Sequence, residues 1–200
     1  MIRSVAEGDV RGELLAAGER VFASRGYAAA TVDDVVRESG TSRASFYRYF
    51  TGKEQLFEEL SRVCYREMRD ALRALSSAEP GPPGSSRIRE LLRGYQALNE
   101  RYGGVIRAWT ELSGPGDTPL RERGTAAMRA MFDETGRVLA RAQAVAPAGT
   151  PAPPAQAALL FLLIERSSFY VSNRVSRLDP ARLLPTLATL VERGYLGTGV

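Results

Sequence analysis

Apolar residues recur at three- and four-residue spacing along most of this chain, and the breaks in that pattern divide it into helices. Val32, Val35 and Val36 fall on one face of a short helix. Thr31 is placed to cap it, and Asp33 and Asp34 sit in its first turn, where the helix dipole favours negative charge. Gly40 ends that helix, and Thr41 or Ser42 can cap the next, which starts near Arg43. Phe46 and Phe50 give this second helix a core-facing stripe, and Ala44 is small enough for close packing. Its other faces are left with Arg43, Ser45, Tyr47, Arg48 and Tyr49. Two short helices around a glycine-centred turn form the pattern of a helix-turn-helix, and Arg, Ser and Tyr are side chains that bond guanine edges or phosphates.

The pattern stays helical to the end. A fourth helix over 52–76 carries Leu56, Leu60, Val63, Cys64, Met68, Leu72 and Leu75 along one side. A Pro- and Gly-rich loop at 78–86 follows, then a helix at 87–102, a shorter one over 105–112 and a long one at 119–145. A second Pro-rich loop at 146–154 precedes the final pair. Residues 157–164 are eight consecutive apolar residues, which on a helix leave no polar face, so the stretch is covered on both sides, by its own bundle and a partner copy or, as the alternative, within a self-contained bundle without a dimer. The last helix has Asp179 as cap, Pro180 at its first position and Leu183, Leu184, Leu187, Leu190 and Val191 at helical spacing, with Pro185 expected to bend it.

Composition narrows the chemistry. The 200 residues include no histidine and one cysteine, which removes His-dependent triads, His- or Cys-built metal sites and an intrachain disulfide. The expectation is a protein with no cofactor or metal that is not an enzyme. Cys64 admits a redox-sensor reading beside that of a small buried residue. No apolar run reaches the length of a membrane span and the first residues lack a signal peptide's apolar core, so no membrane association and a cytoplasmic location are expected. Formal net charge is +4, yet residues 1–60 hold eight basic and ten acidic side chains. Between positions 41 and 53, however, Arg43, Arg48 and Lys53 meet no acid. A local charge of this size predicts modest affinity for DNA from one copy, and so the use of two.

Residues 12–60, through the segments LLAAGERVFASRGY, TVDDVVRESG, SRASFYRYF and TGKEQLF, resemble the amino-terminal domain of TetR-family transcriptional regulators. The resemblance implies an all-α protein, with an N-terminal three-helix helix-turn-helix DNA-binding domain at 1–51 and a C-terminal helical-bundle ligand-binding and dimerisation domain at 52–200. It also implies that the third helix enters the major groove, that Tyr47, Tyr49 and Lys53 hold the backbone and that Thr31 is a backbone-contacting cap. The DNA-binding candidates are Thr31, Thr41, Ser42, Arg43, Ser45, Tyr47, Arg48, Tyr49 and Lys53.

The expected partners are double-stranded operator DNA of pseudo-palindromic sequence, a second copy through the last two helices, and a small-molecule effector. Ligand-binding candidates are Met68, Tyr95, Leu98, Asn99, Tyr102, Trp109, Met128, Phe132, Phe161, Glu165 and Phe169, apolar walls with a few polar groups; Thr110, Glu111 and Asn173 are further polar candidates. A buried Glu165 favours a cationic or hydrogen-bond-donating effector, and a pairing of Glu165 with Arg166 is the structural alternative. The function expected is repression relieved by a largely apolar effector. The alternatives are a helical-bundle binding or interaction protein without DNA binding, and an enzyme on that bundle.

Overall fold

The computed structural model describes residues 7–76, 85–111, 118–143, 154–172 and 179–195. They form helices α1 (Glu7–Arg25), α2 (Val32–Ser39), α3 (Arg43–Tyr49), α4 (Lys53–Ser76), α5 (Ser85–Glu111), α6 (Thr118–Gln143), α7 (Pro154–Ser172) and α8 (Pro180–Tyr195). Among the described residues no helix is long and apolar enough to cross a membrane. Two compact units result, Met1–Cys64 with Arg101–Arg121, and Tyr65–Glu100 with Glu122–Val200. The proposed loops lie largely outside the described residues, as do Leu112, Val145 and Asn173.

In the first unit, Leu14, Ala17, Val21 and Phe22 of α1 pack with Val35, Phe46, Phe50, Leu56, Phe57 and Leu60, all buried. Phe22, Tyr27 and Phe57 form an aromatic cluster with centroids 4.6–6.0 Å apart. Helix α1 stops at Gly26, whose φ of 77° is costly for any residue with a Cβ and whose N–H bonds the Phe22 carbonyl at 3.1 Å.

One element differs from the sequence reading. Helices 87–102 and 105–112 were expected to be separate, broken at Gly103 and Gly104, but α5 runs unbroken from Ser85 to Glu111 and takes Ser85 and Ser86 from the expected loop. Gly104 serves packing instead: a Cβ there would lie 2.3 Å from the Phe22 carbonyl carbon and 2.4 Å from the Ala23 nitrogen. Glycine in a helix interior costs about 1 kcal/mol against alanine; here it lets two backbones touch. Arg107 then donates to the Phe22 and Ala23 carbonyls at 3.2 and 3.1 Å, closing the end of α1. Arg101 pairs with Glu19 at 3.2 Å.

In the second unit, Tyr95 of α5 donates its hydroxyl to the Met68 carbonyl of α4 at 3.2 Å and Arg87 reaches the Ala74 carbonyl at 2.6 Å, so the two helices run antiparallel. Phe161 of α7 lies 6.4 Å from Tyr95 and 5.7 Å from Phe132 of α6, centroid to centroid. Asp179 caps α8 through the Ala181 amide at 2.9 Å, with Pro180 in the first turn as expected and Pro185 inside the helix.

Glu134 of α6, 5% exposed, accepts from Arg73 of α4 at 2.8 Å and from Arg137 at 2.5 Å. Arg73 first, and Arg137 with it, hold the Glu134 carboxyl down at about 2, against the upward push of burial. A depressed folded-state pKa stabilises the fold fully above the unfolded value of 4.5, and the contribution disappears as pH falls toward about 2. Glu134→Gln is therefore expected to lower unfolding stability by about 1–2 kcal/mol at pH 7, after allowing for solvent screening around the half-exposed guanidiniums. Urea titrations at pH 7, 4, 3 and 2 test this. A gap between wild type and variant that stays constant down to pH 2 would contradict it.

Candidate nucleic-acid interface

Helix α2 is fixed at its start by side chains and at its end by a glycine. Thr31 accepts from the Asp34 amide at 3.2 Å, while Asp34 accepts from the Thr31 amide at 3.1 Å and its hydroxyl at 2.7 Å, a reciprocal capping box. The Thr31 hydrogen bonds hold the Asp34 carboxyl below its ordinary value, with burial opposing and Arg25 and Arg37 assisting. Gly40 closes the helix at φ 66°. Of the two possible caps for α3, Ser42 takes the role, accepting from the Ser45 amide at 3.0 Å, while Thr41 bonds the Ser39 hydroxyl at 2.8 Å. The turn joining the helices is thus tied by short-range hydrogen bonds of its own.

Phe46 and Phe50 anchor α3 to the core as expected, with rings 5.5 Å apart. Ala44 does not pack: it is exposed, because two positions before Phe46 on a helix is nearly the opposite face. The outer surface carries exposed Arg43, Tyr47 (51% exposed) and Arg48, with Ser45 and Tyr49 half-buried. Arg48 lies over the Tyr49 ring at 5.2 Å and donates to its hydroxyl at 3.1 Å. Ser45 shares a hydrogen bond with Ser42 at 2.9 Å.

Two of the three expected cations are held differently from the sequence reading. Arg43 was placed in a window without acid, but across the turn it meets Asp33 of α2 at 3.2 Å. Sequence distance hid this, since the two residues are ten apart and only the turn brings them together. Lys53 directs its ammonium to the Tyr27 and Ala28 carbonyls at 2.9 and 3.4 Å and lies 4.6 Å from the Tyr27 ring centroid. It ties the start of α4 to the segment that leads into Thr31.

The ligand-binding candidates fall in both units. Met68, Tyr95, Leu98, Asn99 and Phe161 are buried in the second, with Met128, Phe132 and Phe169 half-buried there. Asn99 donates to the Tyr95 carbonyl at 3.0 Å, while its side-chain oxygen is buried with no hydrogen-bond partner among the described residues. Glu165 is 7% exposed; burial pushes its carboxyl up, opposed by Arg166 at 3.7 Å, the pairing weighed as the alternative. Tyr102 and Trp109 belong to the first unit, where Trp109 donates to Ser61 at 3.1 Å. The side chains of Thr110 and Glu111 lie outside the description, and Cys64 is fully buried.

A capped pair of short helices with an aromatic anchor and an exposed Arg/Tyr face, followed by a larger helical unit, defines a helix-turn-helix protein. Residues 14–60 match the family model of bacterial regulatory proteins, tetR family. Over these residues the chain is similar to the DNA-binding domain of TetR-family transcriptional regulators. It is 28% identical over 123 residues to the HTH-type transcriptional regulator LmrA of Bacillus subtilis, covering 58% of this chain and 63% of LmrA. Over 103 residues it is 34% identical to the HTH-type transcriptional repressor AcnR of Corynebacterium efficiens, covering 50% of this chain and 49% of AcnR. The chain thus spans less than two thirds of the length of these relatives. Among solved structures, the SmeT–triclosan complex superposes with a TM-score of 0.75 at 18% identity, covering 96% of this chain and 93% of that one, a likeness of fold.

Proposed function

We propose that this protein is a DNA-binding transcriptional repressor that holds a palindromic operator as a homodimer and leaves it when a small molecule binds. The observation that carries the reading is the α2–α3 unit, pre-fixed by the Thr31–Asp34 box and the Ser42 cap and turning Arg43, Tyr47 and Arg48 outward. In this reading residues 1–51 bind DNA, and 52–200 bind effector and partner copy. Thr31, Thr41, Ser42 and Ser45 shape the turn and face the phosphates, Tyr47, Arg48 and Tyr49 contact backbone and bases, and Lys53 fixes the approach of α2. Family relatives named as repressors, AcnR among them, support the sign of regulation.

Pairing is supported by an apolar stripe left open on one protomer. Leu159, Leu162 and Tyr170 of α7 share a face and are 58%, 42% and 41% exposed, and Leu190 of α8 is 56% exposed. The effector reading rests on the second unit, whose apolar walls include Tyr95, Phe132 and Phe161 and whose buried polar groups, the Asn99 oxygen and the Glu165 carboxyl, suit a hydrogen-bond donor. By linkage, an effector that weakens operator binding is itself bound more weakly by the DNA-bound protein.

Footprinting on the DNA flanking the protein's own gene tests the proposal, with two-fold symmetric protection expected. Arg43→Ala is expected to weaken binding to the protected sequence by about tenfold or more, as for loss of a base or strong phosphate contact, and Tyr47→Phe by less. Absence of protection, or binding unchanged in both variants with unchanged melting, would refute the assignment.

A further inference from the structure

Arg43 is the first residue of α3, and its guanidinium is held by an acid of the preceding helix. Its Nη1 lies 3.2 and 3.3 Å from the two carboxylate oxygens of Asp33. The contact is at the surface, Arg43 and Asp33 being 62% and 59% exposed. An exposed ion pair does little for stability, so its consequence lies in what it does to an approaching ligand. A phosphate drawn to Arg43 would come within a few ångströms of Asp33, well inside the screening length of about 8 Å at physiological salt, and would be repelled by it. A guanine edge carries no net charge and presents the N7 and O6 acceptors that a planar guanidinium matches.

Resting on the DNA-binding reading above, we infer that Asp33 is a specificity-determining residue: it orients Arg43 to read a guanine in the major groove and keeps Arg43 from serving as a general phosphate clamp. Asp33 is a positioning residue, since it acts through Arg43. Asp33 thus lowers affinity for DNA in general and raises the ratio between preferred and other sequences.

The test selects duplexes from a pool with a randomised 20-base-pair centre using the wild-type protein. It then measures binding of the enriched duplex and a scrambled duplex of equal composition by wild type, Asp33→Asn and Glu38→Gln. Glu38→Gln removes an acid of the same helix, one that pairs with Arg20 at 2.6 Å instead of facing α3, and so controls for net charge. Asp33→Asn is expected to bind the scrambled duplex about threefold to tenfold more tightly. Its preference for the enriched duplex should fall about tenfold, and its log–log salt dependence should steepen by about one phosphate. The penalty for replacing one guanine per half-site, large in wild type, should shrink in this variant alone, while thermal unfolding of all three proteins stays within a few degrees. Unchanged discrimination in Asp33→Asn, or an equal change in Glu38→Gln, overturns the inference and leaves DNA binding standing. Failure of the wild-type protein to enrich any sequence overturns the DNA-binding reading and this inference together.

Discussion

Alanine at position 104 is expected to cost the protein about 3 kcal/mol or more of stability, whereas alanine at position 103, its neighbour, is expected to cost nothing. The Cβ added at Gly104 would lie 2.3–2.5 Å from the Phe22 carbonyl group and the Ala23 nitrogen, which are backbone atoms that no side-chain rotation can move away. Relief requires parting α5 from α1, with loss of the Arg107 contacts to the Phe22 and Ala23 carbonyls. Forced overpacking of this kind costs about 1–3 kcal/mol and more when backbone must shift. A chain of this size loses about 2–4 °C in melting temperature for each kcal/mol. At Gly103 no atom lies within 4 Å of the added Cβ, so the better helix propensity of alanine should show as a gain of up to about 1 kcal/mol. Thermal melts of the two variants decide it, and equal melting temperatures would mean that α5 and α1 do not touch at Gly104 in solution.

In the proposed homodimer, Asp at both Leu159 and Leu162 should leave only monomers and reduce affinity for the proposed operator about a hundredfold or more without unfolding the chain. Both leucines are largely exposed on the single protomer, so their replacement removes little from its own core, which is supplied by Leu160, Phe161 and Ile164 on the opposite side of α7. In a two-fold dimer each substitution counts twice, and each buried leucine side chain is worth about 1.5–3 kcal/mol. An unpaired carboxylate in its place adds a desolvation cost. Loss of the dimer uncouples the two half-sites, so each recognition helix must bind alone. Sedimentation gives the mass, circular dichroism the helicity and footprinting the affinity. A variant that remains dimeric would place the interface elsewhere.

The helix-turn-helix was legible because its signals are local. Thr31, Gly40, Ser42 and the Phe46–Phe50 spacing each act within a turn or two of chain, and each took its expected place. The boundaries of α4 and the Asp179–Pro180 start of α8 were readable for the same reason. What the sequence could not convey was tertiary. Gly103 and Gly104 read as a breaker because propensity knows nothing of Phe22 approaching from another helix. Arg43 read as a bare cation because its acid lies on the preceding helix, and the carbonyls that Lys53 holds, in a turn some 25 residues earlier, were equally hidden from a local reading. The exposed face of Ala44 was within reach, since two residues from a buried position on a helix is the far side.

The hydrogen bond from Trp109 to Ser61 has a practical side. Trp109 is the one tryptophan of the chain, so its indole emission comes from a single known place, the contact of α5 with α4, without any label attached. Helix α4 follows α3 directly through residues 50–52. The protein therefore carries its own optical gauge on the helix that follows α3, in which loss of the Ser61 partner is recorded as a change in the colour of one residue.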